Sequence, residues 1–377
     1  MAFKSLFIAL LVSLTSQVFA GDPLIDKSKA GSDGPHVFYR GKNIVVKTVE
    51  QVDTGLVVRV KYYSKREEVK LKCVVPETGD AFSFTLRDKL KVDKDRYSLP
   101  DRMLVVSDIE GNFEAFKRIL QGARVIDEKF NWIYGDGHLV LVGDFFDRGL
   151  NVTECLWLIY KLESEAEKAG GQIHFIIGNH EAMNLCGEYG YVRNKYMENA
   201  LLIGEEYGLW YDDHSELGRW LRTKNAIVKI GDFAFCHGGI SPYVANSTLR
   251  ISDLNYLVRR YLGVNYGEIV DSLAQYVFNP EVGILWFRGA SKNKISREEM
   301  DAALAFAGVK RIVVGHTLVP DVMAMYDGSL VCVDLFHDEN LRADELRTLY
   351  IEKGNLYSLD VKGIKSSVFT LAFKPKD

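Results

Sequence analysis

The sequence predicts an α/β (α+β) protein: two facing mixed β-sheets flanked by helices, preceded by a small N-terminal β unit. Three observations predict it. Between residues 101 and 307, apolar runs of strand length alternate with helical stretches, the pattern of parallel strands. After His316 a run of strands takes over, the pattern of antiparallel hairpins and hence of a second sheet. Before Leu99, alternating segments rich in Val, Tyr and Phe are separated only by short turn sequences.

The chain has 377 residues, room for one large domain and a small one, and at 47% hydrophobic and 26% charged its composition is that of an ordinary globular protein. Residues 1–20 read as a signal peptide. Lys4 supplies the positive start, 6–14 the apolar core, and Val18-Phe19-Ala20 a cleavage site before Gly21. That core is too short to span a bilayer, and no Cys follows the cleavage site. The mature chain is therefore expected to be periplasmic or secreted, without a membrane span. Residues 21–34, rich in Gly, Ser and Asp, read as a flexible leader. Residues 35–99 read as a β-rich module with strands at 43–49, 55–62, 69–75 and 81–86. It carries no candidate chemistry and has the character of a packing or recognition unit.

The main domain is expected over 100–377. Its helices are expected at 112–121, 151–169, 181–185, 191–206, 212–222, 254–261 and 297–307, and its late strands at 322–326, 330–335, 347–352, 356–361 and 368–373. The formal charge of −4, without a basic tract, disfavours nucleic acid as a principal partner. Five cysteines show no disulfide framework and no C-x-x-C zinc spacing, and Cys236 and Cys332 lie in apolar runs as small buried hydrophobes do. The oligomeric state is not legible.

Five apolar runs end in chemistry-bearing residues. Leu104-Val105-Val106 leads to Asp108-Ile109-Glu110, and Leu139-Val140-Leu141-Val142 to Gly143-Asp144-Phe145-Phe146-Asp147-Arg148-Gly149. Ile173 to Ile177 leads to Gly178-Asn179-His180-Glu181, Phe233 to Cys236 leads to His237-Gly238-Gly239, and Ile312-Val313-Val314 leads to Gly315-His316-Thr317. Ligands of open α/β sheets sit at the carboxyl ends of strands, so these residues are candidates for one metal site assembled across a sheet. Each also has a purely structural reading. Asp108 and Asp144 could cap the helices that follow them, and His316 alone could be a satisfied core histidine.

In combination, G-D-x-x-D-R-G, G-N-H-E, the His237-Gly238-Gly239-Ile240-Ser241-Pro242 element and the late G-H-T resemble the calcineurin-like metallophosphoesterases of the phosphoprotein-phosphatase type. The stretch after Glu181, and Leu285-Trp286-Phe287-Arg288, resemble the Shewanella-like phosphatase branch. The resemblance implies a four-layer metallophosphatase sandwich and hydrolysis of a phosphomonoester, on a protein or a small molecule, by two divalent ions. Mn comes first, with Fe, Zn and Mg also suited. It places Asp108 at the first ion, Asp144 between the two, and Asn179, His237 and His316 at the second. It implies that Arg148 and Arg288 grip phosphate oxygens and that His180, oriented by Asp147, acts as general acid. The sequence departs from the pattern twice. Glu110 stands where the family's first motif has a His ligand, so its carboxylate is the candidate ligand there, and Gly190 stands where the branch usually has Arg. Two other readings stay open: a phosphodiesterase or nucleotide pyrophosphatase of the same superfamily, and a binding protein with a weakened site.

Overall fold

The computed structural model describes residues 29–371. The expected signal peptide and most of the expected leader lie outside them. The N-terminal part is an antiparallel sheet of β1 (Asp33–Arg40), β2 (Asn43–Val52) and β3 (Gly55–Tyr63), followed by a ribbon of β4 (Lys70–Val74) and β5 (Ala81–Thr85). β1 was not expected. It begins inside the stretch read as leader, and Gly31, just ahead of it, exchanges hydrogen bonds with the Asn199 side chain at 3.2 and 2.8 Å. These last leader residues are thus docked rather than free. Asp33 is buried against His36 and Lys195, so its charge favours the docked position.

The short β6 (Arg96–Tyr97) leads into β7 (Arg102–Val106), β8 (His138–Leu141) and β9 (Gln172–Phe175), which pair in parallel. Helices α1 (Phe113–Gly122) and α2 (Val152–Ala169) connect them, and α3 (Asn179–Cys186) follows β9. The hairpin β10 (Ile227–Ile230) and β11 (Phe233–Cys236) then starts the second sheet, continued by β12 (Arg311–Val314), β13 (Met323–Met325) and β14 (Leu330–Cys332). The chain returns to the first sheet through β15 (Arg347–Glu352), β16 (Asn355–Asp360) and β17 (Lys365–Ser367), and closes on the second with β18 (Phe369–Thr370). The two mixed sheets have the orders β17-β16-β15-β7-β8-β9 and β18-β13-β14-β12-β11-β10-β6. The late strands expected to make a sheet of their own are thus divided between both. β10 and β17 were not anticipated; the polar β17 is a strand only because it pairs with the edge of β16.

The N-terminal unit shares its core with the rest of the chain. α2 buries Cys155, Leu156, Trp157, Leu158, Ile159 and Tyr160 in succession, so this segment is covered on every face, as an apolar run longer than one helical turn requires. One cover is the first sheet. The other is the β1–β5 unit: Phe84 meets Trp157 at 4.9 Å, and Trp157 Nε1–H donates to the Pro35 carbonyl at 2.7 Å. Buried Glu216 adds a polar clamp, accepting from Tyr160 Oη at 2.5 Å and from Arg66 Nη1 at 2.9 Å. β6, within the stretch assigned to the module, pairs in parallel with β10 of the second sheet.

Removing the unit would expose one side of α2, including Trp157, and large apolar residues bared in this way cost several kcal/mol each, on the order of 2–3 by area alone. A chain beginning at Asp101 is therefore expected to lose its cooperative thermal transition, read by circular dichroism. A sharp transition at the midpoint of the full chain would show that the two sheets fold without their cover.

Candidate active site

β7, β8 and β9 run parallel in one sheet, and β11, β12 and β14 run parallel in the other. Their carboxyl ends meet, and hydrogen bonding continues past the strands. Asp108 N–H donates to the Gly143 carbonyl, Glu110 N–H to that of Asp144 and Gly315 N–H to that of His237, each at 3.0 Å. Contacts also cross between the sheets: His237 Nδ1 meets the Val142 carbonyl at 2.7 Å, and His316 N–H donates to the Asp108 carboxylate at 3.1 Å. Turning the chain this tightly puts Asp108, Glu110, Asp144, Asp147, Arg148 and His316 at φ of 51°, 47°, 58°, 73°, 54° and 64°. Non-glycine residues adopt that region at a cost on the order of 1–3 kcal/mol each, and such strain collects at functional sites. Two glycines admit the close approach. A Cβ on Gly178 would strike the Asp144 carboxylate, and one on Gly315 would strike Ser107 and Asp108.

Every residue singled out in the sequence comes to this place. Asp108, Glu110, Asp144, Arg148, His180, Arg288 and His316 line a cleft of about 620 Å³. Asn179, His237 and Asp147 are buried behind its wall. Asp108 and Asp144 do not cap helices: Asn112 caps α1 with its own side chain, accepting from Ala115 N–H. α3 starts at Asn179, ahead of the expected 181, so Asn179 and His180 occupy its first turn.

The two ring orientations are fixed from behind. His237 Nδ1 faces the Val142 carbonyl, and His316 Nε2 lies 3.0 Å from the Trp286 carbonyl. With those nitrogens donating, His237 Nε2 and His316 Nδ1 turn their other side inward, 3.1 Å apart. Asn179 Oδ1 and Asp144 Oδ2 complete the point, at 2.9 and 3.0 Å from His237 Nε2. Ligand atoms of Asp144, His237 and His316 lie within 4.8 Å of one another, as do those of Glu110, Asp144 and His180. Oxygen and imidazole donors in this arrangement fit a divalent first-row ion.

The charges point the same way. Asp108, Glu110, Asp144, Asp334, Asp338 and Glu339 line the cleft with only Arg148, Arg288 and Lys292 as fixed cations. Burial pushes Asp108 up to about 6, with His237 pulling it down and Asp144 raising it. Burial, then Asp108, pushes Asp334 up to about 9. Burial opposes the charged form of His237, but Asp144 and Asp108 overcome it and raise the ring to about 10. Asp144 is itself lowered, because His237 and His180 outweigh its burial. His316 is held neutral by burial and by His237. Here the protons on His237 stabilise buried carboxylates, a role that a bound cation would take over.

On the cleft's other side, His180 Nδ1 lies 2.5 Å from Asp147 Oδ2, while Nε2 is 3.8 Å from Asp144 Oδ2. Burial disfavours the imidazolium, but Asp144 and Asp147 raise its pKa above the ordinary value. Arg288 Nη2 reaches His316 Nδ1 at 3.2 Å. Arg148, half-exposed, lies over the Tyr191 ring and forms an ion pair with Glu110.

Two functional positions escaped the sequence reading. Asp334 follows the apolar run of β14 as the other site residues follow theirs, and that repeated pattern was the signal for it. Glu181 was read as part of a motif without a role. Its buried carboxylate accepts from Gly178 N–H at 2.7 Å, Asp144 N–H at 2.9 Å and Phe145 N–H at 2.7 Å. It thereby ties the start of α3 to the loop after β8. The five cysteines are free, and none lines the cleft.

Comparison with known proteins agrees with this geometry. Residues 102–320 match the model of the calcineurin-like phosphoesterase family. Shewanella-like protein phosphatase 1 of Plasmodium berghei is 32% identical over 247 residues, 62% of this chain and 67% of that protein. Shewanella-like protein phosphatase 2 of Arabidopsis thaliana is 26% identical over 270 residues, 59% of this chain and 68% of that one. The crystal structure of a cold-active protein-tyrosine phosphatase of a psychrophilic Shewanella superposes with a TM-score of 0.79 at 30% identity, covering 90% of this chain and all of that one. This protein, whose strand-tip carboxylates and imidazoles converge on one cleft, belongs to the calcineurin-like phosphoesterases, as a metal-dependent phosphoester hydrolase similar to the Shewanella-like protein phosphatases.

Proposed function

We propose that this chain is an exported protein phosphatase that removes the terminal phosphate from phosphoproteins with two divalent ions. The observation that carries it is the convergence of Asp144, Asn179, His237 and His316 beside the His180–Asp147 pair. Asp144, Asn179, His237 and His316 would hold one ion, and Asp108, Glu110 and Asp144 the other. When bound, such ions polarise the phosphoryl group and acidify water.

The rest of the chemistry falls to the chain. Arg148 and Arg288 both line the cleft, where their planar guanidinium groups can grip phosphate oxygens. A phosphomonoester offers three non-bridging oxygens for the two guanidinium groups to share and a diester only two, which favours the monoester. His180 is held by Asp147 at Nδ1, so its Nε2 proton is free to pass to the leaving oxygen as the phosphorus–oxygen bond breaks. Despite burial, Asp144 and Asp147 raise its pKa above the ordinary value, which favours holding that proton. Protein substrates are the reading that the named relatives favour.

His180→Asn is expected to lower kcat for phenyl phosphate by about two orders of magnitude in the presence of Mn²⁺, with metal content unchanged. The loss should shrink for p-nitrophenyl phosphate, whose leaving group needs less protonation. Equal losses on both substrates would remove His180 from the acid role.

Glu110 is shared between two roles, since its carboxylate pairs with Arg148 while lying within reach of Asp144 and His180. If it also ligates, Glu110→His keeps two ions per chain by elemental analysis and shifts preference toward Zn²⁺. A rise from one ion to two, with a sharp gain in activity, would mean that Arg148 withholds Glu110 from the metal and that the native site is weakened.

The composition of residues 1–20 is what supports export. Protein recovered from the periplasm or medium should start at Gly21 by N-terminal sequencing. Intact Met1 on protein confined to the cell interior would overturn it.

A further inference from the structure

A groove of about 1280 Å³ runs between the β1–β3 sheet and the β4–β5 ribbon, away from the catalytic cleft. We propose that it docks an acidic, extended segment of the phosphoprotein substrate, a reading that rests on the protein-phosphatase function above. The chain carries a net charge of −4, yet this groove is lined by Arg59, Lys61, Lys70 and Lys72. Two carboxylates also line it, and both are engaged: Asp33 is turned inward to His36 and Lys195, and Glu50 pairs with Arg59 at 3.2 Å. Among the described residues, Lys61, Lys70 and Lys72 have no carboxylate within ion-pair distance.

Strand register explains how the cations come to face one space. Val46 pairs with Lys61 and Thr48 with Arg59, so both cations stand on one face of the sheet. On the ribbon, Lys70 pairs with Thr85 and Lys72 with Ser83, while Leu71, Cys73, Phe82 and Phe84 turn into the core. Residues two apart on a strand are separated by about 6.6 Å, and so are alternate side chains of any extended peptide. Lys70 with Lys72 therefore matches carboxylates at alternate positions of a bound segment, and Lys61 across the groove adds a third unpaired cation beside the Arg59–Glu50 pair. The three lysines also supply the long-range attraction that raises encounter rates with an acidic chain.

The groove is joined to the active site by its far end. Val74 and Pro76 line it there, and the turn that follows is anchored on both sides: Asn151 donates to Glu77 at 2.8 Å, and Lys117 to Asp80 at 2.8 Å. Asn151 lies three residues after Arg148, and its N–H bonds to the Gly111 carbonyl beside Glu110. A segment leaving the groove at Pro76 thus passes onto the loop that carries the phosphate-gripping arginine.

The test compares phosphopeptides bearing a block of alternating Asp, on either side of the phosphorylated residue and with graded spacers, against the same peptides with Asn. Wild-type protein should show a KM about tenfold lower for the best acidic peptide, a gap that closes in high salt. The Lys61→Glu, Lys70→Glu, Lys72→Glu triple variant should lose that gap while keeping its p-nitrophenyl phosphate kinetics and its thermal midpoint. No gap in the wild type, or a gap that survives in the variant, overturns the proposal. If neither peptide is turned over although p-nitrophenyl phosphate is, the protein-substrate reading fails by itself. Fluorescence anisotropy of the unphosphorylated Asp peptide then decides the groove, with binding by the wild type and not the variant supporting it. Absence of binding, or binding of a labelled oligonucleotide in place of the peptide, overturns it.

Discussion

The Glu181 carboxylate holds together the part of this protein on which the chemistry depends. It is buried and accepts three backbone N–H groups, two from the loop after β8 and one from the turn opening α3. Burial and the Asp144 charge push its pKa up to about 7, so its charged form depends on those donors. The clamp brings the β8 loop against α3, so that Asp144 accepts from His180 N–H at 2.9 Å. It also presents Asp147 to the His180 ring. Without it, two carboxylates and an imidazole would be free to relax away from left-handed backbone angles and from mutual repulsion.

That strain and that repulsion have one explanation. Six site residues sit at positive φ, and six carboxylates line a cleft with few fixed cations. Neither feature favours the folded chain by itself. Both become favourable when a divalent cation occupies the point where the side chains converge, because binding energy then repays the folded state. The family's metal dependence is therefore visible in the polypeptide as a pattern of costs. Glu110 makes this sharper, since it adds an anion to the cleft, and Arg148 answers it with an ion pair.

The N-terminal strands belong to the same argument at larger scale. α2 follows the loop of Asp147 and Arg148 and is buried on all sides from Val152 to Glu163, so the first sheet alone cannot shelter it. The β1–β5 unit is its second cover, with Trp157 and Tyr160 at the contact. The outward face of this cover is where the basic groove lies, so a unit required for packing also offers a surface within reach of the substrate.

Sequence alone determined the layer architecture, the strand-tip residues and the family. Those features rest on local patterns: periodicity of two or 3.6, an apolar run followed by Asp or His, and motif spacing. Particular residues mark where this stopped. Asp334 followed the same rule as Asp108 and was passed over because its run was read as continuing to Leu335. β17 has no strand composition and exists through its pairing with β16. The leader's end was read as free because Gly and Ser are permissive, whereas Asn199, 168 residues away, holds it in place. The Glu181 clamp, the inward-facing nitrogens of His237 and His316, the Glu110–Arg148 pair and the cations of the groove were decided by tertiary structure. Each depends on residues far apart in sequence being brought within a few ångströms, and hydrogen-bond direction and buried charge have no meaning until that distance is set.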